Sequence, residues 1–271
     1  NYHFATYGAM FLGQYEPAMR AAEGLIATTP DDLLRVETPP MADFIESYFS
    51  MKEHVMIRFG KWRDIIALPP VQEPELFCVT HAMRLYAKGV AHAAVGEVAE
   101  AEAVRTEFLD ACKKVPESRY LHNVCCLDLL KIAEAMLDGE LEYRKGNFDE
   151  AFAHLRLSVE RDDSLPYDEP WGWIQPVRHA LGALLFEQKR VEEAEQVSRE
   201  DLGLGGKLSR ATIHPDNVWS LKGLVDCLNS RGAADTEEAH FLRQRLDFAL
   251  SRADARVAAS CFCAQAAMAA E

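Results

Sequence analysis

Hydrophobic and polar positions along most of the chain alternate with the period of an amphipathic helix, and short turns interrupt this pattern. In each turn, a residue that tolerates positive φ is followed two positions later by a large apolar residue. A small or apolar residue comes three positions after that. The turns begin at Gly13, Gly60, Gly96, Gly146 and Lys189. This spacing is typical of two antiparallel helices that meet at a tight turn, so the pattern predicts a series of helix pairs.

The same periodicity predicts the bounds of about six pairs, with prolines where helices stop or start. The predicted pairs are Tyr2–Leu12 with Tyr15–Thr28, Met41–Phe59 with Trp62–Ala67, Leu76–Val95 with Val98–Lys114, Arg119–Lys145 with Phe148–Glu160, Trp173–Gln188 with Val191–Leu202, and Asn217–Ser230 with Asp235–Ser251. A last helix, Ala253–Ala270, is expected to cap the core or to form a homodimer surface.

We therefore expect an all-α fold, an α-solenoid of degenerate antiparallel pairs in which residues 1–271 form one domain. Because Tyr2 already lies in a predicted helix, we expect the stack to lack its N-terminal cap, as a truncated chain would.

The repeat resembles the tetratricopeptide repeat (TPR) family. The resemblance rests on the sets Gly13/Tyr15/Ala18/Pro30, Leu85/Gly89/His92/Gly96/Ala101, Arg178/Leu181/Gly182/Leu185/Ala194 and Trp219/Gly223. Turn-to-turn spacings of 47, 36, 50 and 43 residues exceed the roughly 34 residues of that repeat, so longer helices or inserted loops are expected. The segments Arg58–Trp62, Tyr167–Pro170 and Arg199–Leu202 are similar to a group of uncharacterised bacterial and fungal TPR proteins.

In that family, the first helix of each pair lines a concave groove that binds proteins or peptides. The resemblance therefore implies a binding scaffold with a protein or peptide partner, although a fold alone does not fix a function. When the helical register of that family is applied to this chain, the resemblance implies the following groove-lining residues: His3, Tyr7, His54, Arg58, Tyr86, Glu140, Tyr143, His179 and Asn217.

This stripe is unusually rich in histidine. Imidazole and carboxylate groups suit zinc, iron or copper, so His3, His54 and His179, with Glu140, are candidate ligands of a transition metal. The alternative is that these histidines are separate hydrogen-bonded residues and that the protein needs no cofactor. An enzyme or small-molecule binder with a histidine-lined pocket is accordingly the alternative to the scaffold. A deep pocket favours that alternative, and an open groove favours the scaffold.

The loop before the fifth pair is long, aromatic and acidic. Its residues Tyr167, Asp168, Glu169 and Trp171 combine aromatic rings with carboxylates, which recognise cations and amphipathic ligands. Alternatively, the rings fill a gap between helix pairs while a carboxylate caps the next helix. Both interpretations stay open. Further along, Asn217 is expected to be the N-cap of the helix that contains Trp219.

The composition and charge of the chain exclude some classes of binding partner. The formal net charge is −14, and no run of Lys and Arg supplies a basic face, so nucleic acid and anionic membranes are poor partners. No apolar stretch approaches the roughly 18 residues that a membrane span needs. An odd number of cysteines, seven, scattered over predicted helices argues against a disulfide framework and favours a reducing, cytoplasmic location.

Overall fold

The computed structural model describes residues 1–206 and 208–264, and its fold is all-α. The helices are α1 (Tyr2–Phe11), α2 (Tyr15–Thr28), α3 (Asp31–Leu34), α4 (Met41–Ile45), α5 (Met51–Arg58), α6 (Trp62–Ala67), α7 (Cys78–Ala94), α8 (Val98–Cys112), α9 (Cys126–Lys145), α10 (Phe148–Asp163), α11 (Val177–Glu187), α12 (Val191–Asp201), α13 (Val218–Ser230) and α14 (Glu237–Leu250). Short 3₁₀ helices cover Glu46–Ser50 and Arg210–Thr212, and two strands, β1 (Tyr120–Leu121) and β2 (Val124–Cys125), form a hairpin. No helix within the described ranges is both long and apolar enough to cross a membrane.

The predicted turns have the expected backbone geometry. The first residue of each turn has a positive φ, with values of 70° at Gly13, 65° at Gly60, 84° at Gly96, 85° at Gly146 and 63° at Lys189. Each turn joins two helices that pack against each other, such as α7 with α8 and α9 with α10. The turn pattern therefore located the helix boundaries correctly in all five places.

The helix predicted over Met41–Phe59 is instead divided into α4, a 3₁₀ segment and α5. The 3₁₀ segment contains Glu46, a fully buried carboxylate that accepts hydrogen bonds from the backbone N–H groups of Val79 (3.2 Å) and Thr80 (2.8 Å). These donors belong to the first turn of α7, which has no intrahelical partner for them. The interruption thus places a carboxylate where it caps a neighbouring helix.

Two other predicted helices begin later than expected. The β1–β2 hairpin takes the place of the first turns of the helix predicted from Arg119, and α9 begins at Cys126. The helix predicted from Trp173 begins at Val177, directly after Pro176. Proline lacks the N–H that a helix interior needs, so it suits the start of this helix.

The predicted capping helix is wrong for residues 253–264, which form no helix, and its remainder lies outside the described residues. Asp254 instead caps α2: its carboxylate accepts hydrogen bonds from the N–H groups of Tyr15 and Glu16 (3.0 Å). The N–H groups of Asp254 and Ala255 both donate to the carbonyl of Gly13 at 3.2 Å. Contacts with the first helix pair therefore replace the expected helical hydrogen bonds. The helix on which a homodimer surface was expected is absent over residues 253–264, and the homodimer itself stays a prediction.

Because residues 253–264 are not helical, two of the seven cysteines lie close enough to bond. Cys261 and Cys263 are joined by a disulfide, whereas Cys78, Cys112, Cys125, Cys126 and Cys227 are free. Two residues this close in sequence point to different sides of a helix but can meet in irregular backbone. A single link between two near neighbours in sequence is not a disulfide framework, and the other five cysteines are free.

The last helix pair contacts the first. Trp219 on α13 is fully buried, and its indole N–H donates to the carbonyl of Met10 on α1 at 2.8 Å. A side chain added at Gly13 would meet Val218 at 3.2 Å, so the start of α13 also packs against the turn after α1. Since α5 packs on both α1 and α7, the first helices of the pairs enclose a shared interior.

Candidate functional site

Most of the residues predicted to line a groove are buried in this interior. The buried residues are His3, His54, Arg58, Tyr86, Glu140, Tyr143, His179 and Asn217, while Tyr7 is half-buried. Trp173 covers part of the stripe, with its ring edge-on to His54 (centroids 4.9 Å apart) and to Tyr86 (5.8 Å). Burial raises the pKa of Tyr86 and lowers that of His54 to about 4. These side chains therefore form an interior and not an open, solvent-lined groove.

The aromatic and acidic loop has one buried ring, Trp171, and one exposed ring, Tyr167. Trp171 is buried and donates its indole N–H to Asp162 at 2.8 Å, so it fills a gap between helices. Tyr167 and Glu169 are exposed. Asp168 does not cap the following helix but is almost fully buried at the tip of the β1–β2 hairpin.

The Asp168 carboxylate holds His122 in one orientation. It accepts hydrogen bonds from His122 Nδ1, from the N–H of Asn123 (3.2 Å) and from the N–H of Glu169 (3.0 Å). His122 lies in the two-residue hairpin turn with a φ of 53°, which is uncommon for a residue with a side chain. Because Nδ1 donates to a carboxylate, the neutral ring presents Nε2 as its acceptor nitrogen. The side chain is 52% exposed.

His122 and Glu169 line a cavity of about 330 Å³ at the N-terminal end of α1. Its apolar wall includes Phe4, Leu25 and Ile45. The size and the mixture of an apolar wall with a few polar groups are typical of a small-molecule site.

His3 forms another part of this wall. Its ring packs edge-on against Tyr48 with centroids 5.2 Å apart, and its Nε2 has no hydrogen-bond partner among the described residues. Burial lowers the pKa of His3 to about 4, against the opposing effect of the nearby Asp168 carboxylate. His3 is therefore a neutral polar contact near neutral pH.

A second carboxylate lies deeper in the interior. Asp201, at the end of α12, accepts hydrogen bonds from four side chains: His179 Nε2 (3.0 Å), His214 Nδ1 (2.7 Å), Asn217 Nδ2 (2.9 Å) and Ser220 Oγ (2.6 Å). Although burial alone would raise its pKa, the contacts with His179 and His214 hold the pKa of Asp201 well below its usual range. A buried carboxylate with this many donors is ionised.

Arg58 balances this charge. Its Nη1 donates to His179 Nδ1 at 2.7 Å, and its guanidinium stacks 4.1 Å above the Trp219 ring. Burial lowers the pKa of Arg58 to about 9, although the nearby Asp201 opposes that effect. Since arginine can only donate, His179 must carry its proton on Nε2 and bridge the cation to the carboxylate.

His214 has the same tautomer as His122, but unlike His122 it is not accessible to solvent through Nε2. Its ring stacks on Phe11 with centroids 4.6 Å apart, and Tyr7 lies beyond. Its Nε2 is buried and has no partner among the described residues. Burial raises the pKa of Tyr7, and the carboxylates of Asp201 and Asp162 act in the same direction.

The remaining predicted residues are paired elsewhere. Glu140 lies 3.3 Å from Arg144 in an ion pair, and burial raises its pKa. Tyr143 donates its hydroxyl to Glu187 at 2.6 Å and accepts from Gln188. Asn217 is the N-cap of α13, as expected, because its Oδ1 accepts from the N–H of Ser220.

The histidines proposed as metal ligands are not gathered into a centre. Across residues 1–206 and 208–264, no group of three or more His, Cys, Asp or Glu side chains is placed to hold a metal ion. Both ring nitrogens of His179 are engaged, one by Arg58 and one by Asp201. The geometry therefore gives the metal hypothesis no support.

Sequence reasoning missed His122 and His214, which carry the clearest histidine–carboxylate geometry. The helix predicted over Arg119–Lys145 includes His122, and His214 lies between the predicted fifth and sixth helix pairs. The features that could have identified these histidines are their acidic partners, Asp168 and Asp201, but these lie in other segments of the chain.

The chain was compared with protein-family models, with curated proteins and with solved structures, and it matches none of them.

Proposed function

We propose that the protein binds a small organic molecule in the cavity beside His122, and that His122 accepts a hydrogen bond or a proton from it. The observation that carries this proposal is the bond from His122 Nδ1 to the buried Asp168, which fixes Nε2 as the acceptor on a residue that lines the cavity. The uncommon φ of His122 fits a side chain held in place for a functional reason.

This arrangement is suited to general base chemistry. His122 Nε2 takes a proton from an O–H or N–H group of the ligand, and the imidazolium that results is stabilised by the Asp168 carboxylate through Nδ1. His3 stays neutral because of its lowered pKa, so it adds no positive charge to the wall of the cavity. The apolar wall near Phe4 and Ile45 would hold the body of the ligand.

The test is a ligand-detected NMR screen with neutral fragments that carry one O–H donor on an aromatic or aliphatic body. Binders of the wild type are then measured on His122→Asn, since asparagine tolerates positive φ but has no titratable nitrogen. His240→Asn, at an exposed position on α14, is the matched control. Loss of one neutral hydrogen bond predicts about two- to tenfold weaker binding for His122→Asn alone. Equal affinities for both variants, or no binders at all, would contradict the proposal.

The protein- or peptide-binding scaffold is the second candidate function. The observation in its favour is an irregular segment near the C-terminus, which lies across the first helices of several pairs and is held there by side-chain donors.

We also infer that the helix pairs form a degenerate TPR-like solenoid. Support comes from the five positive-φ turns and from Gly139, where an added Cβ would lie 2.6 Å from Leu155 of the paired helix. A cytoplasmic location stays a prediction from the scattered cysteines.

A further inference from the structure

We propose that the face covered by residues 255–264, here called the tail segment, is a docking surface for an extended segment of another polypeptide. The tail segment is its built-in competitor. This proposal rests on the scaffold function and is independent of the cavity beside His122.

The tail segment lies against the first helices of several pairs. Its contacts include Arg58 on α5, Arg144 on α9, His179 on α11 and Trp219 on α13. These are the helices that line the peptide groove in the resemblance drawn from sequence. The occupant is thus a peptide of this chain itself.

The surface binds the main chain of the tail segment. Arg58 Nη2 donates to the carbonyl of Ser260 at 2.8 Å, and Arg144 Nη2 donates to the carbonyl of Cys263. Ser260 returns one bond, from its Oγ to the carbonyl of His179 at 2.9 Å. Carbonyl groups occur in every residue, so these two arginines can hold any segment that follows the same path.

One aromatic side chain supplies sequence preference. Phe262 is 8% exposed, and its ring lies 6.0 Å from that of Trp219. It also packs on Gly60, where an added Cβ would lie 2.8 Å from the Phe262 ring. The site therefore requires a glycine beneath the ring and favours an aromatic residue in the docked segment.

The tail segment does not fill its surface completely. Among the described residues, a cavity of about 280 Å³ remains beside Ala258 and Ala259, with Phe186 and Gly223 in its wall. A larger apolar side chain at either alanine position would bury additional apolar surface there. The preferred partner is accordingly an extended segment with an aromatic residue and a bulky apolar residue three or four positions before it.

Such a partner must compete with an intramolecular ligand. A tethered segment has an effective concentration in the millimolar range, so an external segment of equal affinity binds poorly. The cavity beside Ala258 and Ala259 is a part of the surface that the tail segment leaves unfilled, so a segment with larger apolar side chains there would bury more apolar area and displace it.

The experiment uses the full chain with a protease recognition site inserted between Ser251 and Arg252, both of which are exposed. Cleavage converts the tail segment into a separate peptide without removing it. A fluorescent synthetic peptide of residues 252–264, with Cys261 and Cys263 oxidised, is then added and its anisotropy is followed. We expect exchange with the cleaved tail, about tenfold weaker binding of the Phe262→Ala peptide and about fivefold tighter binding of the Ala258→Leu peptide.

Paired variants of the protein separate docking from backbone strain. Gly60 and Gly96 both have positive φ, so alanine strains each turn, but only Gly60 lies beneath Phe262. Gly60→Ala should weaken binding of the 252–264 peptide at least tenfold, and Gly96→Ala should leave it unchanged.

Unfolding of the protein on cleavage, or failure of the peptide to exchange, would show that the tail segment is a structural part of the core and would overturn the proposal. Equal binding of the wild-type and Ala258→Leu peptides would overturn the assigned partner class. Fragment binding beside His122 is measured on the same samples, so either proposal can fail without the other.

Discussion

Asp162→Asn should remove a pH dependence from the stability of the protein. Asp162 is buried, and its Oδ1 accepts the indole N–H of Trp171 at 2.8 Å. Burial raises its pKa to about 7 from an ordinary value of 3.8, with the neighbouring Asp163 adding to the effect. The folded protein therefore holds a proton that the unfolded chain releases between about pH 4 and 7.

The sign and size follow from this difference. Well below pH 3.8, the folded and unfolded states both carry the proton. As pH rises towards 7, the unfolded state loses it first, so the free energy of unfolding falls. A difference between about 7 and 3.8, at about 1.36 kcal/mol per pH unit, corresponds to about 4 kcal/mol. This loss is complete above pH 7, where both states are ionised.

The assay is urea unfolding followed by circular dichroism at several values between pH 4 and 8. Asparagine keeps the Oδ1 acceptor for Trp171 but cannot titrate, so the stability difference between wild type and variant should change by about 4 kcal/mol across this range. Asp247→Asn, at an exposed site on α14, controls for a general change in charge. A constant difference between wild type and Asp162→Asn from pH 4 to 8 would refute the reasoning.

Two further predictions concern glycine packing and helix capping. Gly139→Ala should destabilise by about 1–3 kcal/mol because its Cβ would meet Leu155 at 2.6 Å. Gly182→Ala, whose nearest contact would be 3.7 Å, should instead stabilise by up to about 1 kcal/mol. Among N-caps, Thr236→Ala should cost about 1 kcal/mol. Asn217→Ala should cost more because Asn217 also donates to the buried Asp201. Chemical denaturation measures all four, and equal values within either pair would contradict the corresponding argument.

The sequence was sufficient for the elements that local chemistry determines. A turn residue needs only to tolerate a positive φ, and all five predicted turn residues have one: Gly13, Gly60, Gly96, Gly146 and Lys189. Asn217 needed only its own helix to act as a cap. Prediction failed where the structure of a segment depends on long-range contacts. Asp254 caps a helix 238 residues away in sequence, and no local sequence pattern indicates that its carboxylate has this role.

The candidate site shows the same division. Helical register groups His3, His54 and His179 on one face, and all three are buried, but register could not show which carboxylates would meet them. His179 is held between Arg58 and Asp201, which makes it a structural bridge. The pairing of His122 with Asp168 depends on a hairpin that helical periodicity does not predict.

The two histidine–carboxylate pairs indicate where chemistry can occur. In both, Nδ1 donates to a buried aspartate and Nε2 is the acceptor. His214 stacks on Phe11 within the interior and its Nε2 is enclosed, so a ligand reaches it only if the packing opens. His122 is half-exposed and borders a cavity of about 330 Å³. Because proton transfer requires the ligand within hydrogen-bond distance, the accessible pair is the one that we assign to ligand chemistry. The enclosed pair then stabilises the packing of α12 against α13, and alanine at His214 should lower stability without weakening binding of fragments beside His122.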